Sequence, residues 1–456
     1  MKVLVAGAGI GGLTTALRLH AVGIDVLVID SVTELLPLGV GINLLPHATA
    51  ELCELGLEEE LAGLAIPTAE LVHLDRFGNE IWREPRGLAA GHDHPQYSVH
   101  RGELQTLLAA AVRARLGSGA IRTGMRFVAA RQYPDRVCST VHDRARDHTV
   151  EITTDLVIGA DGLHSAVRAG LYPDEGAPRW NGIRMWRGVT MTRPFLTGAS
   201  MVMAGSNHTA KLVAYPISAA ARGEGRALVN WVAEVRMPDH TEQAANWQRT
   251  GRLDEVLPHY RGWRFDGIDV GALISGSERI LEYPMVDRDP VSRWVFGRVA
   301  LLGDAAHPMY PIGSNGGSQA ILDAGVLATE LARAADPRDG LTAYEAARLE
   351  IANAVVLANR DIPADRVLRL VEERAPQGFD RITDVLTEDE LRAIAGGYQR
   401  TSAARVSAVE VSEPYPNRGA STLHRLYVEV AIPATSRGHG EPDSRRGRRA
   451  HRKSGR

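Results

Sequence analysis

Four apolar residues, Val3-Leu4-Val5-Ala6, run straight into Gly7-Ala8-Gly9-Ile10-Gly11-Gly12, and this junction constrains the fold more than any other stretch of the chain. A short buried strand that ends in glycines and continues into a helix, here over 13–22, opens a βαβ unit with a parallel sheet. Gly7 and Gly9 let the backbone turn tightly and approach a pyrophosphate, and Gly12 permits close helix–strand packing. The second strand, Val26-Leu27-Val28-Ile29, ends in Asp30, 23 residues after Gly7, where a carboxylate can accept from a ribose 2′-hydroxyl. Strand, turn, helix and acid in register predict an adenine dinucleotide site without saying which dinucleotide.

Two later segments repeat the pattern. In Asp155-Leu156-Val157-Ile158-Gly159-Ala160-Asp161-Gly162-Leu163-His164-Ser165-Ala166-Val167-Arg168 a buried strand ends in glycine and aspartate and opens a helix. In the stretch 299–317 an apolar run ends in Gly303-Asp304, placing a carboxylate where it can accept hydrogen bonds from a polyol. A Gly-rich loop follows and opens a helix near Gly317, whose free N–H groups and positive dipole end suit an electron-rich ring. A reduced flavin has such a ring, so two distant segments are expected to hold one flavin dinucleotide.

Composition limits the alternatives. A chain of 456 residues, 44% apolar and 23% charged, is globular and long enough for two or more domains. Its net charge of −3 points to neither nucleic acid nor an acidic membrane. The charge is uneven: residues 434–456 hold eight Lys/Arg against two Asp/Glu, a local +6 that leaves −9 elsewhere, and such a tail is expected to be disordered. Two cysteines, Cys53 and Cys138, make neither a disulfide framework nor a metal site. His92-Asp93-His94 lacks a second ligand pair and reads as a solvated loop. No apolar run approaches the roughly 18 residues of a membrane span, and no signal peptide is evident. A reduced, cytoplasmic protein without metal is the expectation.

Helix-like and strand-like segments alternate to about residue 175. A helix is expected from His100-Arg101-Gly102-Glu103-Leu104 to about 116. Strand-like runs at 183–192, 211–217 and 227–235 then read as an antiparallel sheet inserted into an α/β domain. The third glycine–aspartate motif returns only after it, so the cofactor domain is discontinuous. The expected division is cofactor domain at 1–75, 97–178 and 285–338, substrate-domain strands at 76–96, inserted sheet at 179–284, C-terminal helices at 339–400 and a tail at 401–456.

Gly-Ala-Gly-Ile-Gly-Gly, Gly159-Ala160-Asp161-Gly162 and Gly303-Asp304-Ala305-Ala306-His307, in that order, resemble the three fingerprints of the class A FAD-dependent aromatic hydroxylases of the p-hydroxybenzoate hydroxylase fold. Further segments resemble the phenazine-carboxylate monooxygenase branch, of the pyocyanin-forming kind. They are Leu38-Gly39-Val40-Gly41-Ile42-Asn43, the stretch 95–104, Met185-Trp186-Arg187-Gly188-Val189-Thr190, Leu212-Val213-Ala214-Tyr215-Pro216-Ile217 and the stretch 283–290. The similarity covers roughly 1–400, with 192–208 poorly matched.

The resemblance implies an α/β fold with a Rossmann-like FAD-binding domain of the glutathione-reductase type. Gly7, Gly9 and Gly12 would cradle the pyrophosphate, Asp30 the adenosine ribose, and Arg101 the phosphate region. Gly41, Asp161 and Gly162 join the cofactor set, Asp161 in a motif tied to both FAD and NAD(P)H. Asp304 would hold the ribityl chain, while Gly317 and Ser318 would donate backbone N–H groups to the flavin C2 carbonyl. His307 reads as structural.

The implied reaction reduces FAD with transiently docked NADPH or NADH and adds O2 to give a flavin C4a-hydroperoxide. That species hydroxylates an aromatic or N-heteroaromatic carboxylate, with or without decarboxylation. Tyr215, Arg184 and Arg187 are the substrate-pocket candidates. The two arginines point to opposite faces of a regular strand, so at most one serves. Trp186, Tyr215 and Trp231 in the sheet suit a flat partner or ordinary core packing. No catalytic base is assigned, and the protein is expected to be a monomer or homodimer. The alternatives are a salicylate- or phenol-type substrate, another flavin enzyme such as a halogenase, whose Trp-x-Trp-x-Ile-Pro segment is missing, and a flavin-binding protein without catalysis.

Overall fold

The computed structural model describes residues 1–237, 250–360 and 363–391. The tail expected from 434 lies outside the described residues.

Lys2–Ala6, Asp25–Ile29, Ile121–Arg122, Leu156–Gly159 and Val299–Leu301 form one parallel sheet, with Val295–Phe296 antiparallel at its edge. Val3, Leu4, Val5 and the whole of Leu156–Gly159 are buried, as strands covered on both faces require. From the central strand the chain first steps to one neighbour, Asp25–Ile29, and over a hundred residues later reaches the other, Leu156–Gly159. That reversal is a switch point, where the crevice beyond the strand ends receives a ligand. Register brings Ala6 level with Ile29 and Gly159, and Gly159 level with Leu301, so all three glycine–acid turns leave from one edge.

Helix Ile10–Ala21 packs behind the first turn and against helix Asn315–Arg333, which begins near the third. The approach is close at Gly11, where a Cβ would stand 3.1 Å from that of Ala320.

The inserted sheet has seven strands. In spatial order they are Leu281–Asp287, Arg179–Thr192, Ala227–Arg236, Ala210–Pro216, Ser200–Gly205, Glu70–Leu74 and Glu80–Pro85. Two boundaries differ from expectation. Glu70–Leu74, placed with the cofactor domain, pairs in parallel with Ser200–Gly205, and 281–287 continues the sheet past 284. The alternation expected up to 175 is also broken by an antiparallel ribbon, Met125–Gln132, Val137–Asp143 and His148–Thr154. Each face of the inserted sheet has its own core. One gathers Trp186, Trp231, Tyr260 and Trp263, the other Met185, Val213, Tyr215 and Val232 with Tyr310, Ile312 and Val367. Among the described residues no helix is long and apolar enough to cross a membrane.

Candidate functional site

The first turn is built as its glycines predicted. Gly7 sits at φ +109°, where a Cβ would fall 2.2 Å from the Ala160 carbonyl oxygen. A Cβ at Gly12 would lie 1.9 Å from the Gly7 oxygen, whereas one at Gly9 would meet nothing within 4 Å. Gly7 and Gly12 are therefore required by the fold. Gly9 faces open space, as a backbone must if a pyrophosphate is to reach it. Asp30 accepts from the Ala8 N–H at 2.7 Å, so its carboxylate already stands beside the loop. The Gln105 side chain donates to the Ala8 carbonyl at 2.7 Å.

Arg101 opens helix Arg101–Leu116 behind the N-cap His100, whose ring nitrogen accepts from Glu103 N–H. It is exposed, and no described residue pairs with its guanidinium. A cation at a helix N-terminus without a partner acquires one most favourably from an anionic ligand.

The second and third turns differ in what their aspartates do. Asp161 is occupied locally. The Ser165 hydroxyl donates to its Oδ1 at 2.5 Å, and the Ala166 and Val167 N–H groups donate to Oδ2. It takes up first-turn N–H groups of the short helix Ala166–Leu171, whose N-cap is Ser165, and burial raises its pKa. Gly162, at φ +80°, faces open space. Asp304, in the turn Gly303–Ala305, is exposed and has no partner among the described residues.

Buried charges hold the loop around Asp304. Arg168, 2% exposed, donates to the Ala305 and Ala306 carbonyls at 2.9 and 2.7 Å and pairs with Glu175. His307 bonds Asp323 at 2.6 Å; Asp323 also accepts from the Gly303 N–H and from Arg348. Burial alone would raise the Asp323 pKa, but His307 and Arg348 outweigh it and hold it at about 2. His307 is buried, with its Nε2 bonded to Asp323. Arg168 was missed, although an arginine following the second fingerprint inside a short amphipathic helix was a visible signal.

Helix Asn315–Arg333 starts from Ser314 in the left-handed region, φ +62°, directly after Gly313 at φ +69°. Ser318 is buried: its hydroxyl accepts from Leu45 N–H and donates to the Ser314 carbonyl, leaving only its backbone for a ligand. A Cβ at Gly317 would lie 2.8 Å from Ile42, so this helix start abuts the strand Gly41–Leu44.

The inserted sheet meets that strand. Arg187 donates to the Gly41 carbonyl at 2.8 Å, and Asn230 Oδ1 accepts from the Gly41 N–H at 2.7 Å. Tyr215 is 4% exposed, and burial pushes its pKa up, against the opposing pull of the nearby Arg187. Arg184 points to the other face, against Trp186 and 3.5 Å from Glu282, and leaves the candidate set. Trp186 and Trp231 also belong to that far core, Trp231 donating to Thr190 and Ser277. Of the three aromatic candidates, only Tyr215 faces Gly41. Asn230 was missed; an asparagine inside the apolar run 227–235 was its signal.

The residues fit a dinucleotide with a polyol and an electron-rich ring. Gly9 leaves room, Asp304 and Arg101 have no partner among the described residues, and the start of helix Asn315–Arg333 lies near Asp304. Comparison with known proteins agrees. A family model described as FAD binding domain matches residues 1–359. The phenazine 1,6-dicarboxylic acid hydroxylase PhzS of Lysobacter antibioticus is 51% identical over 366 residues, 79% of this chain and 89% of its own length. The 3-hydroxybenzoate 6-hydroxylase 1 of Aquipseudomonas alcaligenes is 32% identical over 352 residues, 76% and 84% of the two chains. Klebsiella pneumoniae HpxO, solved with FAD and uric acid, has a TM-score of 0.70 at 25% identity, covering 88% of this chain and 96% of its own.

Proposed function

The chain belongs to the FAD-binding family of FAD-dependent aromatic hydroxylases, and from that membership we propose that it hydroxylates a phenazine-type N-heteroaromatic carboxylate. One observation carries the substrate reading: the 51% identity to the Lysobacter hydroxylase extends over 366 residues, a span that must include the inserted sheet and not the cofactor half alone.

FAD supplies two-electron reduction by NAD(P)H and activation of O2 for transfer of one oxygen atom to the ring. The chain's own residues bind and shield it. We assign the pyrophosphate to the loop Gly7, Gly9 and Gly12, the adenosine ribose to Asp30, and the phosphate region to Arg101. Asp304 takes the ribityl hydroxyls, and the N–H groups of Gly317 and Ser318 take the flavin C2 carbonyl. Gly41 lies against the cofactor, and Gly162 joins the second turn. The apolar face of Met185, Val213 and Val232, with Tyr310 and Ile312, excludes water from the reacting ring. Cys53 and Cys138 are free thiols, in keeping with the reduced cytoplasm proposed for the protein.

The test is direct. The purified protein should be yellow and release FAD on acid precipitation. Phenazine-1-carboxylate or its N-methyl form should perturb the flavin spectrum and accelerate NADH or NADPH oxidation, with hydroxylated product in stoichiometric yield. Uncoupled peroxide from these acids, alongside clean hydroxylation of salicylate or a monocyclic phenol, overturns the phenazine reading and leaves the family intact.

A further inference from the structure

Three side chains of the inserted sheet converge on Gly41. Asn230 holds the Gly41 N–H through Oδ1, and Arg187 holds the Gly41 carbonyl through Nη2. Tyr215 stands opposite Asn230 in the neighbouring strand, and Arg187 is one pair further along, opposite Val232. All three therefore share a face, at separations that side chains of this length span. Packing is close: a Cβ at Gly41 would lie 2.6 Å from Asn230 Cβ and 2.8 Å from Tyr215 Cε2.

Two donors in this group have no partner among the described residues. They are Nδ2 of Asn230, a residue 0% exposed, and Nε of the half-buried Arg187. The Gly41 N–H bond fixes which end of the amide is oxygen, so Asn230 cannot be turned to present an acceptor instead. No acidic side chain among the described residues pairs with Arg187. Buried donors in folded proteins are almost always satisfied. A fixed amide donor and a cation on the same face, with no ion pair to either among the described residues, match an anionic acceptor with two oxygens.

We propose that Asn230 and Arg187 form the docking site for the substrate's ring carboxylate, with Asn230 as a specificity-determining residue. The proposal rests on the carboxylate substrate read above. Because the same two residues hold both backbone polar groups of Gly41, the acid group is registered against the strand that abuts the helix start at Gly317.

Asn230→Asp tests this, because an aspartate still accepts the Gly41 N–H while the free donor becomes an acceptor beside Arg187. Flavin difference spectra of the holoenzyme, titrated with phenazine-1-carboxylate and with phenazine, give the two affinities. The variant should lose at least about tenfold in affinity for the acid and less than about threefold for the parent ring. FAD content and melting temperature should be unchanged. If it does not fold, Arg187→Gln, which retains a donor for the Gly41 carbonyl, should show the same selective loss. Equal loss for both ligands, or none for the acid, overturns the subsite. If the wild-type holoenzyme binds no phenazine, the substrate reading has failed separately, and salicylate against phenol applies the same criterion. A wild type that does not distinguish acid from parent ring in either pair overturns the subsite too.

Discussion

The two sheets of this protein make binding surfaces in opposite ways. In the parallel sheet the ligand edge is backbone: Gly7 and Gly12 are needed because side chains must be absent, and Gly9 because a ligand must approach. In the inserted sheet the proposed acid site is made of polar side chains, Arg187, Asn230 and Tyr215, and a buried ion pair, Lys211 with Glu234, lies elsewhere in the same strands. Lys211, 1% exposed, stands 2.9 Å from both Glu234 and Asp365, and Tyr260 donates to the carbonyls of Lys211 and Glu234. Burial opposes its charge, but Asp365 and Glu234 hold its pKa above the usual lysine range. The ion pair with Asp365, and bonds from Ser206 and Thr209 to Glu372, fasten helix Pro363–Arg374 to the sheet. A backbone site tolerates changes around it, whereas a site of buried charges depends on every partner.

The largest expected effect is in the inserted sheet. Lys211→Met leaves Glu234 buried without its cation and should cost about 3–5 kcal/mol in urea unfolding. A loss below about 1 kcal/mol would break the contrast at its charged end. In the parallel sheet, Gly12→Ala should cost about 3 kcal/mol by forcing a Cβ into backbone. Gly9→Ala should leave the melting temperature of the FAD-free protein unchanged while weakening FAD binding about tenfold or more. Similar melting temperatures for the two glycine variants would erase the distinction drawn between them.

Acid should weaken both halves through buried histidines. Burial, assisted by Arg86 and Lys211, holds His73 of the inserted sheet at about 3; burial, with Arg348 and His92, holds His47 of the cofactor half at about 4. The unfolded chain takes up these protons near the ordinary value of 6.5 and the native state does not. Stability is therefore unaffected above that pH and falls below it, down to each folded pKa, by up to about 1.4 kcal/mol per pH unit for each group. His73→Gln should flatten that slope in denaturant titrations between pH 6.5 and 4; an unchanged slope would remove His73 from the account.

Smaller effects separate the two aspartates. Asp304→Ala should weaken FAD binding by about 1.5–3 kcal/mol while leaving the melting temperature of the FAD-free protein unchanged, since its carboxylate has no partner among the described residues. Asp161→Ala should instead cost about 1 kcal/mol of stability through the lost bonds to first-turn N–H groups, measurable without FAD. The smallest effect is expected at Arg184. Its replacement by Ala should change substrate affinity less than about twofold, and a larger change would mean that the two faces of the sheet are not independent.

These residues also show how far the chain could be read before its fold was known. The strand 2–6, the glycine turn, the helix behind it and Asp30 were legible because the pattern that marks them, strand, glycines, helix and acid in order, is complete within about thirty residues of chain. Asp161 and Asp304 looked alike, since both follow a buried strand and a glycine. What separates them is where the next helix starts. The N–H groups of Ala166 and Val167 reach Asp161 at once, but Asn315 begins its helix eleven residues after Asp304, leaving that carboxylate free.

In the inserted sheet, three aromatic residues and two arginines were visible as candidates, but not the face each would occupy. A side chain changes face with every step along a strand, so parity must be combined with knowledge of which face meets the cofactor half, and pairing between distant segments supplies that. The sequence by itself determined the cofactor fold, the ligand edge of its sheet and the class of chemistry, because local patterns of strand, glycine and acid encode them. Only the tertiary structure turned Tyr215, Arg187 and Asn230 toward Gly41, and Trp186, Trp231 and Arg184 away, because register and packing over more than a hundred residues decide which side of a strand faces the site.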